Sequence, residues 1–276
     1  MHVDEAKNDN GPLRSAENGA LYFLHIPKTA GTSVTEWLRN RVKRGSLCPA
    51  KNWDQLVMIE PQALMDYRVF AGHFGMDLEL FLGQKMTTVT VLRDPLSRTI
   101  SHYRHVRRDP EHPLHRSVLD QSFETFVMGQ QNWPMIENFQ ARYLVASPIA
   151  FKRFASLYDL NVKKRNRLSV LSEDARYLLD PKYVRDKALE AIGEQLAFVG
   201  TDECLPNFLR KVGEATLSSL PVSDVPRENI APPDDIGELS ALALEIVDSL
   251  TKIDQEIYAS VRSHSPDSSG SIQGRQ

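Results

Sequence analysis

The chain has 276 residues, of which 41% are hydrophobic, and its 33 basic and 36 acidic side chains leave a formal net charge of −3. This composition is sufficient for one large core and argues against a dedicated nucleic-acid-binding protein. The two cysteines lack metal-binding spacing, and no run of 18 apolar residues predicts a membrane-spanning helix.

We expect one domain, residues 19–262, between two disordered tails. Residues 1–18 are polar and charged, and residues 263–276 are rich in serine and glycine, so neither can form a packed core. The first residues are too polar for a secretory signal. If the chain is complete, we expect a cytoplasmic, bacterial protein.

The first predicted strand, Leu21–Leu24, leads through a polar loop into a helix. The strand is apolar without alternation, as in a parallel sheet that is covered on both faces. Gly31 allows close approach to a ligand, and the start of the helix offers free N–H groups and the positive end of its dipole. Lys28 adds a full charge, so the segment predicts an anion site.

Two features of this loop bear on its chemistry. Ser33 and Glu36 match a capping box, so the segment could also be an ordinary helix start. Lys28 precedes Gly31, whereas the lysine of a Walker A loop follows the last glycine and stands beside a magnesium-binding hydroxyl. The loop therefore favours group transfer without a metal.

A second strand is predicted in the segment Val69–Phe74, where Gly72 allows a close approach just before His73. An ordinary imidazole has a pKa near 6.5, so His73 could accept a proton from an alcohol at neutral pH. A lone histidine in an apolar strand is also common in protein cores. For His25, beside the loop, a structural role is the favoured interpretation.

A third strand is predicted over Lys85–Arg93, which is rich in β-branched residues. Asp94 and Pro95 suit the cap and first residue of the helix that follows. Helical spacing places Ser101 on the polar side of this helix, so Arg93 and Ser101 can share one side. A strand-end arginine paired with Asp94 is the alternative interpretation of Arg93.

Basic residues are concentrated in segments 98–116 and 163–167. Against a slightly acidic background, such clusters can focus anionic ligands, although a charge run is usually a solvated face. His102 and His105 lie in the first cluster and could line a pocket or face water. An anionic acceptor is compatible with this distribution.

Later segments complete an α/β pattern. Residues 95–195 are expected to be helical insertions, and a short strand over 196–199 precedes a helix over 205–212. Arg142 could contact a ligand or lie on the surface. A proline-rich loop over 222–235 could cover the acceptor site, and a last helix is predicted over 236–261. Ligands of such sheets bind at the carboxyl ends of the strands.

Two motifs together carry a resemblance to a known family. They are Pro27-Lys28-Thr29-x-Gly31-Thr32-Ser33 and Leu92-Arg93-Asp94-Pro95-x-x-Arg98-x-x-Ser101-x-Tyr103. In pairing, order and spacing they resemble the cofactor signatures of sulfotransferases that use 3′-phosphoadenosine 5′-phosphosulfate (PAPS). The residues of the first motif, together with His25 and Ile26 before it, are most similar to those of the carbohydrate branch that includes heparan sulfate 2-O-sulfotransferases.

The resemblance implies a P-loop-like central parallel sheet flanked by helices, in a single domain with a large helical insertion. It also implies roles for individual residues. The residues that would bind the 5′-phosphosulfate are Lys28, Thr29, Ala30, Gly31, Thr32 and Ser33. Arg93 and Ser101 would bind the 3′-phosphate. Lys28 would also be the electrophilic catalyst, since its ammonium can follow the charge that develops on the leaving oxygen.

The resemblance further implies that His73 is the base, because 2-O members carry a Gly-His segment at this place. Such members often have another histidine two residues earlier, where this chain has Ala71. The acceptor would be a hydroxyl group, on a carbohydrate or another small molecule. We expect no metal and no nucleic-acid partner, and the sequence does not indicate an oligomeric state.

Two other functions remain open from the sequence. One is a nucleotide-dependent kinase of the P-loop group, which should have a magnesium-binding carboxylate near the loop. The other is a non-catalytic protein of the same fold that binds phosphoadenosine or an anionic glycan. In the second case Arg93 and Ser101 would keep their function while His73 would point away from Lys28.

Overall fold

Four parallel strands form the centre of the protein, in a computed structural model that describes residues 19–146, 179–216 and 236–263. The strands are β1 (Leu21–Leu24), β2 (Val69–Gly72), β3 (Thr87–Leu92) and β4 (Phe198–Thr201). Their order is β2-β1-β3-β4, and each neighbouring pair is parallel. The predicted α/β class, with a parallel sheet flanked by helices, is confirmed.

Helices connect the strands. Their bounds are α1 (Gly31–Arg39), α2 (Trp53–Leu56), α3 (Pro61–Leu64), α4 (Asp77–Leu82), α5 (Pro95–Arg108), α6 (His115–Val118), α7 (Phe123–Met128), α8 (Phe139–Tyr143), α9 (Pro181–Glu190), α10 (Leu205–Thr216), α11 (Ala241–Leu250) and α12 (Lys252–Ser263). Short 3₁₀ segments span Gln130–Met135 and Asp202–Cys204, and a π turn spans Ala191–Gln195. Between β3 and β4, none of the described residues belongs to a strand.

Both faces of the sheet are buried, which explains why β1 is apolar without alternation. Leu21 and Phe23 pack in one core with Trp37 of α1. Tyr22 and Leu24 point to the opposite core, which includes side chains of α12. A third cluster joins α5, α7 and α11 away from the sheet.

The strands end at one edge of the sheet. Leu24, the last residue of β1, pairs with Gly72, the last residue of β2. Leu92 of β3 likewise pairs with Thr201 at the end of β4. Because parallel strands place their carboxyl ends side by side, the four segments that follow them open on a common edge.

The prediction of one long last helix was wrong. Two helices, α11 and α12, are separated at Thr251. Asn138, just before α8, is bonded at the break: its N–H donates to the Leu250 carbonyl at 2.9 Å, and its Oδ1 accepts from the Ile253 N–H at 2.9 Å. A residue distant in sequence therefore takes up backbone groups that a continuous helix would have paired internally.

Some predictions concern residues outside the described ranges. These are the tail over 1–18, the basic cluster at 163–167, the loop over 222–235 and the predicted tail over 263–276, except for Ser263, which is the last residue of α12. The predicted strand over 196–199 lies two residues later, at 198–201. No helix in the described ranges is long and apolar enough to span a membrane.

Candidate functional site

The loop after β1 has an unusual backbone. Lys28 and Ala30 have positive φ angles of 73° and 67°, which cost free energy in residues with a Cβ. The Thr29 hydroxyl is buried and donates to the Ile26 carbonyl at 2.9 Å. Thr29 was predicted to bind the ligand, and its hydroxyl proton is instead used in a hydrogen bond that stabilises the loop.

Two arginines hold the carbonyl groups of this loop. Arg98 Nε donates to the Pro27 carbonyl at 3.3 Å, and Arg93 Nη1 donates to the Lys28 carbonyl at 3.3 Å. Arg98 itself is buried, with its guanidinium 3.8 Å from the centre of the Phe139 ring. These contacts offset the strain at Lys28 and connect the first motif to the second.

The start of α1 leaves N–H groups available. Helix α1 begins at Gly31 with Ala30 as its N-cap, and no side chain caps it. The expected capping box is therefore wrong, because Ser33 lies inside the first turn, where it is buried. Among the described residues, no hydrogen-bond acceptor is found for the N–H groups of Ala30, Gly31 and Thr32. Such groups form an anion cradle.

Gly31 is required by its neighbour His25. A Cβ built on Gly31 would lie 1.9 Å from the His25 imidazole. The glycine therefore makes room for a ring packed against the loop. Its predicted role in the approach of a ligand stays a prediction.

Lys28 carries its ammonium in a strongly cationic environment. Burial, followed by the charges of Arg108, Arg98 and Arg93, lowers the pKa of Lys28 to about 8. Throughout the described ranges, no carboxylate lies within 4.0 Å of its Nζ. A bound anion would favour the charged form of this ammonium, because its negative charge offsets both the desolvation cost and the repulsion by the arginines.

Arg93 joins the two motifs at the carboxyl edge of β1 and β3. In addition to its contact with Lys28, its Nε lies 3.1 Å from Asp202 Oδ2, just after β4. Burial raises the pKa of Asp202, and the charge of Arg93 opposes this rise. The alternative pairing with Asp94 is wrong: Asp94 caps α5 by accepting from the Ser97 N–H at 2.8 Å.

Helix α5 is polar on more than one side. Ser101 and Ser97 are half-buried, as expected for the side that was predicted to face Arg93. Across the residues that the structure describes, however, no hydrogen bond joins Ser101 to Arg93. Its predicted role beside Arg93 stays a prediction.

His73 follows β2 directly and has a defined tautomer. Its Nδ1 lies 2.7 Å from the His25 carbonyl, which can only accept, so Nδ1 carries the proton and Nε2 keeps its lone pair. Burial lowers the pKa of His73 below its ordinary value of 6.5. At neutral pH this imidazole is therefore uncharged, and its Nε2 can accept a proton.

The His25 ring packs against the predicted base, His73. Its ring centre is 4.3 Å from that of His73 and 5.5 Å from that of Phe23. Burial, followed by the charges of His73 and Lys28, lowers the pKa of His25 well below its ordinary value. A neutral His25 packs between the loop and His73, as the structural interpretation expected.

A cavity of about 520 Å³ lies beside α1 and β2. Its floor includes Ala71, and cationic side chains surround it: Arg39, Lys43, Arg44 and Lys51. The Lys51 carbonyl accepts from the His73 N–H at 2.8 Å. The Lys51 charge also contributes to the lowered pKa of His73. The cavity is therefore connected to the backbone of the predicted base through Lys51, although His73 itself does not line it.

The structure decides between the open interpretations of three residues, and sequence reasoning missed Asp202. Arg142 is buried and donates to the carbonyls of Glu137 and Pro134, so the interpretation as a surface arginine was wrong. His102 is buried beside the Arg98 charge, while His105 is half-buried. The position of Asp202 after a strand could have been found with the rule that located Arg93.

The site combines an ammonium, a guanidinium, free N–H groups and a neutral imidazole at one sheet edge. Such a set can bind a multiply charged anion and remove a proton from a nearby group. In the described part of the chain, no group of three or more potential ligands could hold a metal ion.

A scan against protein-family models gives no match for this chain, and neither does a search of curated proteins.

Proposed function

We propose that this protein is a sulfotransferase that moves a sulfuryl group from PAPS to a hydroxyl group of a carbohydrate acceptor. The observation that carries the proposal is the contact between the two motifs, where Arg93 Nη1 donates to the Lys28 carbonyl at 3.3 Å. This contact brings the guanidinium of Arg93 to the loop that carries Lys28 and the free N–H groups. The finer description of the fold as P-loop-like, with a large helical insertion, is part of this proposal.

The lysine loop would hold the 5′-phosphosulfate. The free N–H groups of Ala30, Gly31 and Thr32 suit its oxygens, and the exposed Thr32 hydroxyl can add another donor. Lys28 would act as the electrophile, since an ammonium already surrounded by cations is stabilised further as negative charge develops nearby. PAPS supplies the activated sulfuryl group.

The second motif would hold the 3′-phosphate. Arg93 keeps part of its guanidinium fork for a ligand, while its contacts with Lys28 and Asp202 fix its orientation. Ser101 on α5 would add a hydroxyl. Arg98 and Arg108 would add positive charge near Lys28, whose pKa their charges lower after burial.

His73 would be the general base. Its Nδ1–H is bonded to the His25 carbonyl, which leaves Nε2 to receive the acceptor proton. The acceptor would occupy the cavity beside Lys51, whose size and cationic side chains suit a sugar that carries acidic groups. In-line transfer then requires only that His73 and Lys28 act on opposite sides of the sulfuryl group.

A direct test measures the release of 3′,5′-phosphoadenosine from PAPS, with and without a panel of sugars. The Lys28→Ala variant should reduce turnover by about 10²- to 10³-fold, as for the loss of one electrostatic donor. Lys85→Ala is the matched control, since Lys85 is an almost fully exposed lysine, and its turnover should be unchanged. Near-normal turnover of Lys28→Ala would contradict the role of Lys28.

The same assay separates the other functions. A kinase would consume ATP in the presence of magnesium and leave PAPS intact. A non-catalytic protein would bind 3′,5′-phosphoadenosine without releasing it from PAPS in the presence of any acceptor. A protein that binds neither nucleotide would contradict the proposal as a whole.

A further inference from the structure

The side chain of Gln140, near the start of α8, holds the backbone of Arg93. Its Oε1 accepts from the Arg93 N–H at 2.9 Å, and its Nε2 donates to the Arg93 carbonyl at 2.8 Å. Gln140 is fully buried. Arg93 is the first residue after β3, where pairing with β4 has ended at Leu92. Gln140 therefore takes the place of a neighbouring strand for this one residue.

An amide is the side chain that matches both backbone groups. The peptide unit presents one donor and one acceptor, and a primary amide offers their complements. An ionised glutamate has the same length but can only accept, and methionine has a similar volume but does neither. Substitution of Gln140 can thus remove one or both bonds with little change in packing volume.

Gln140 is itself fixed from the C-terminal part of the chain. Asp254 of α12 is buried and accepts from the N–H groups of Gln140 at 3.1 Å and Ala141 at 2.8 Å. Asn138, just before α8, is bonded to the junction of α11 and α12. The amide that holds Arg93 therefore sits on a short helix that is anchored at its first turn.

The side chain of Arg93 extends from this fixed backbone to the loop that carries Lys28. Within the described ranges, the guanidinium of Arg93 contacts the Lys28 carbonyl and the Asp202 carboxylate and no other hydrogen-bonding group. An arginine side chain has several rotatable bonds, so these contacts define the direction of the guanidinium only while its backbone stays in place.

We infer that Gln140 is a positioning residue for Arg93, and that its amide sets the affinity of the site for a 3′-phosphate without touching the nucleotide. The inference rests on the proposed function, in which Arg93 binds that phosphate. Loss of the amide should weaken binding of 3′,5′-phosphoadenosine more than binding of a nucleotide that has a 5′-phosphate alone.

The test is calorimetric titration of the full chain with 3′,5′-phosphoadenosine and with adenosine 5′-monophosphate. In Gln140→Met the dissociation constant for the first nucleotide should rise by about 10-fold, the size of effect seen when a supporting residue is removed. That for the second should change little. Gln140→Glu, which keeps one acceptor and the length of the side chain, should fall between wild type and Gln140→Met.

Asn132→Ala is the matched control. Asn132 is a buried amide whose Nδ2 donates to the Phe126 carbonyl at 2.8 Å and has no hydrogen bond to Arg93. It should lower the melting temperature and leave the ratio of the two dissociation constants unchanged. If Gln140→Met does not fold, Gln140→Glu supplies the ratio.

The outcomes are distinguishable. A wild-type protein that does not discriminate between the two nucleotides overturns the proposed function and the inference with it. A wild-type protein that discriminates, together with Gln140 variants that keep the same ratio, overturns the inference alone. A ratio that falls in the Gln140 variants and not in Asn132→Ala supports it.

Discussion

Lys28 keeps its charge in a place where burial and three arginines act against it. A lysine in such a position is useful only if an anion spends part of the reaction beside it. Its partner His73 has the opposite requirement, because a base must be unprotonated, and burial keeps the imidazole neutral. These charge states are the ones that the proposed sulfuryl transfer would require at neutral pH.

The pH dependence of kcat/KM for PAPS should report both groups, since this quantity reflects the free enzyme. The pKa of Lys28 is about 8, so kcat/KM should fall as the pH rises through 8. His73 has a pKa below 6.5, so the acid limb should lie below that pH. In Lys28→Arg, which stays charged, the remaining activity should lose the limb near pH 8. An unchanged alkaline limb would contradict the assignment.

His73 can be tested separately from nucleotide binding. His73→Ala should reduce turnover by about 10²- to 10⁴-fold, the usual contribution of a general base, while the affinity for 3′,5′-phosphoadenosine stays near that of the wild type. His115→Ala is the control, because His115 Nδ1 also contacts a carbonyl, that of Val106, at 2.9 Å. Full turnover in His73→Ala would exclude His73 as the base.

In the unit formed by β1, its loop and α1, the absence of a side chain at Gly31 leaves space for the ring of His25. The loop turns at Lys28 and Ala30 with positive φ angles, and Gly31 opens the helix beneath the His25 ring. His25 in turn accepts the Nδ1–H of His73 through its carbonyl. The loop with the free N–H groups and the predicted base are therefore linked through His25.

Gly31→Ala should disturb this link. The added Cβ would lie 1.9 Å from the His25 ring, so His25 or the loop must move. We expect a loss of about 1–3 kcal/mol in the free energy of unfolding, together with reduced turnover. Chemical denaturation and the PAPS assay measure the two effects. Gly193→Ala, where a Cβ would meet no atom within 4 Å, is the control, and equal losses in both variants would contradict the explanation.

The C-terminal helix α12 contributes a buried carboxylate to the centre of the protein. Asp254 binds the first turn of α8, and Arg98 and Arg142 face it from α5 and α8. Burial raises its pKa to about 6, although its hydrogen bonds and the two arginines act in the opposite direction. Distant parts of the chain are thus joined through a group that titrates in a mildly acidic range.

Stability should depend on pH through Asp254. Its pKa in the folded state lies above its ordinary value of 3.8, so the folded protein holds this proton more tightly. The resulting contribution is fully present below pH 3.8 and is lost as the pH rises through about 6. Compared with Asp254→Asn, the wild type should therefore lose stability between pH 4 and 6. Urea denaturation across this range measures the difference, and a constant difference would contradict the prediction.

Local sequence patterns indicated the four strands, the helices α1, α5 and α10, and the sheet edge where the candidate site lies. Arg93, Asp94 and Pro95 were placed correctly because a strand end, a cap and a first helical residue are set by neighbours in sequence. The meeting of Lys28 and Arg93 followed from the rule that parallel strands share a carboxyl edge.

Only the tertiary structure decided which partners these residues have. The pairing of Arg93 with Asp202, its anchoring by Gln140 and the break between α11 and α12 all join residues far apart in the chain. Such contacts leave no periodic signal, because they depend on how separate elements pack and on which buried polar groups still need a partner.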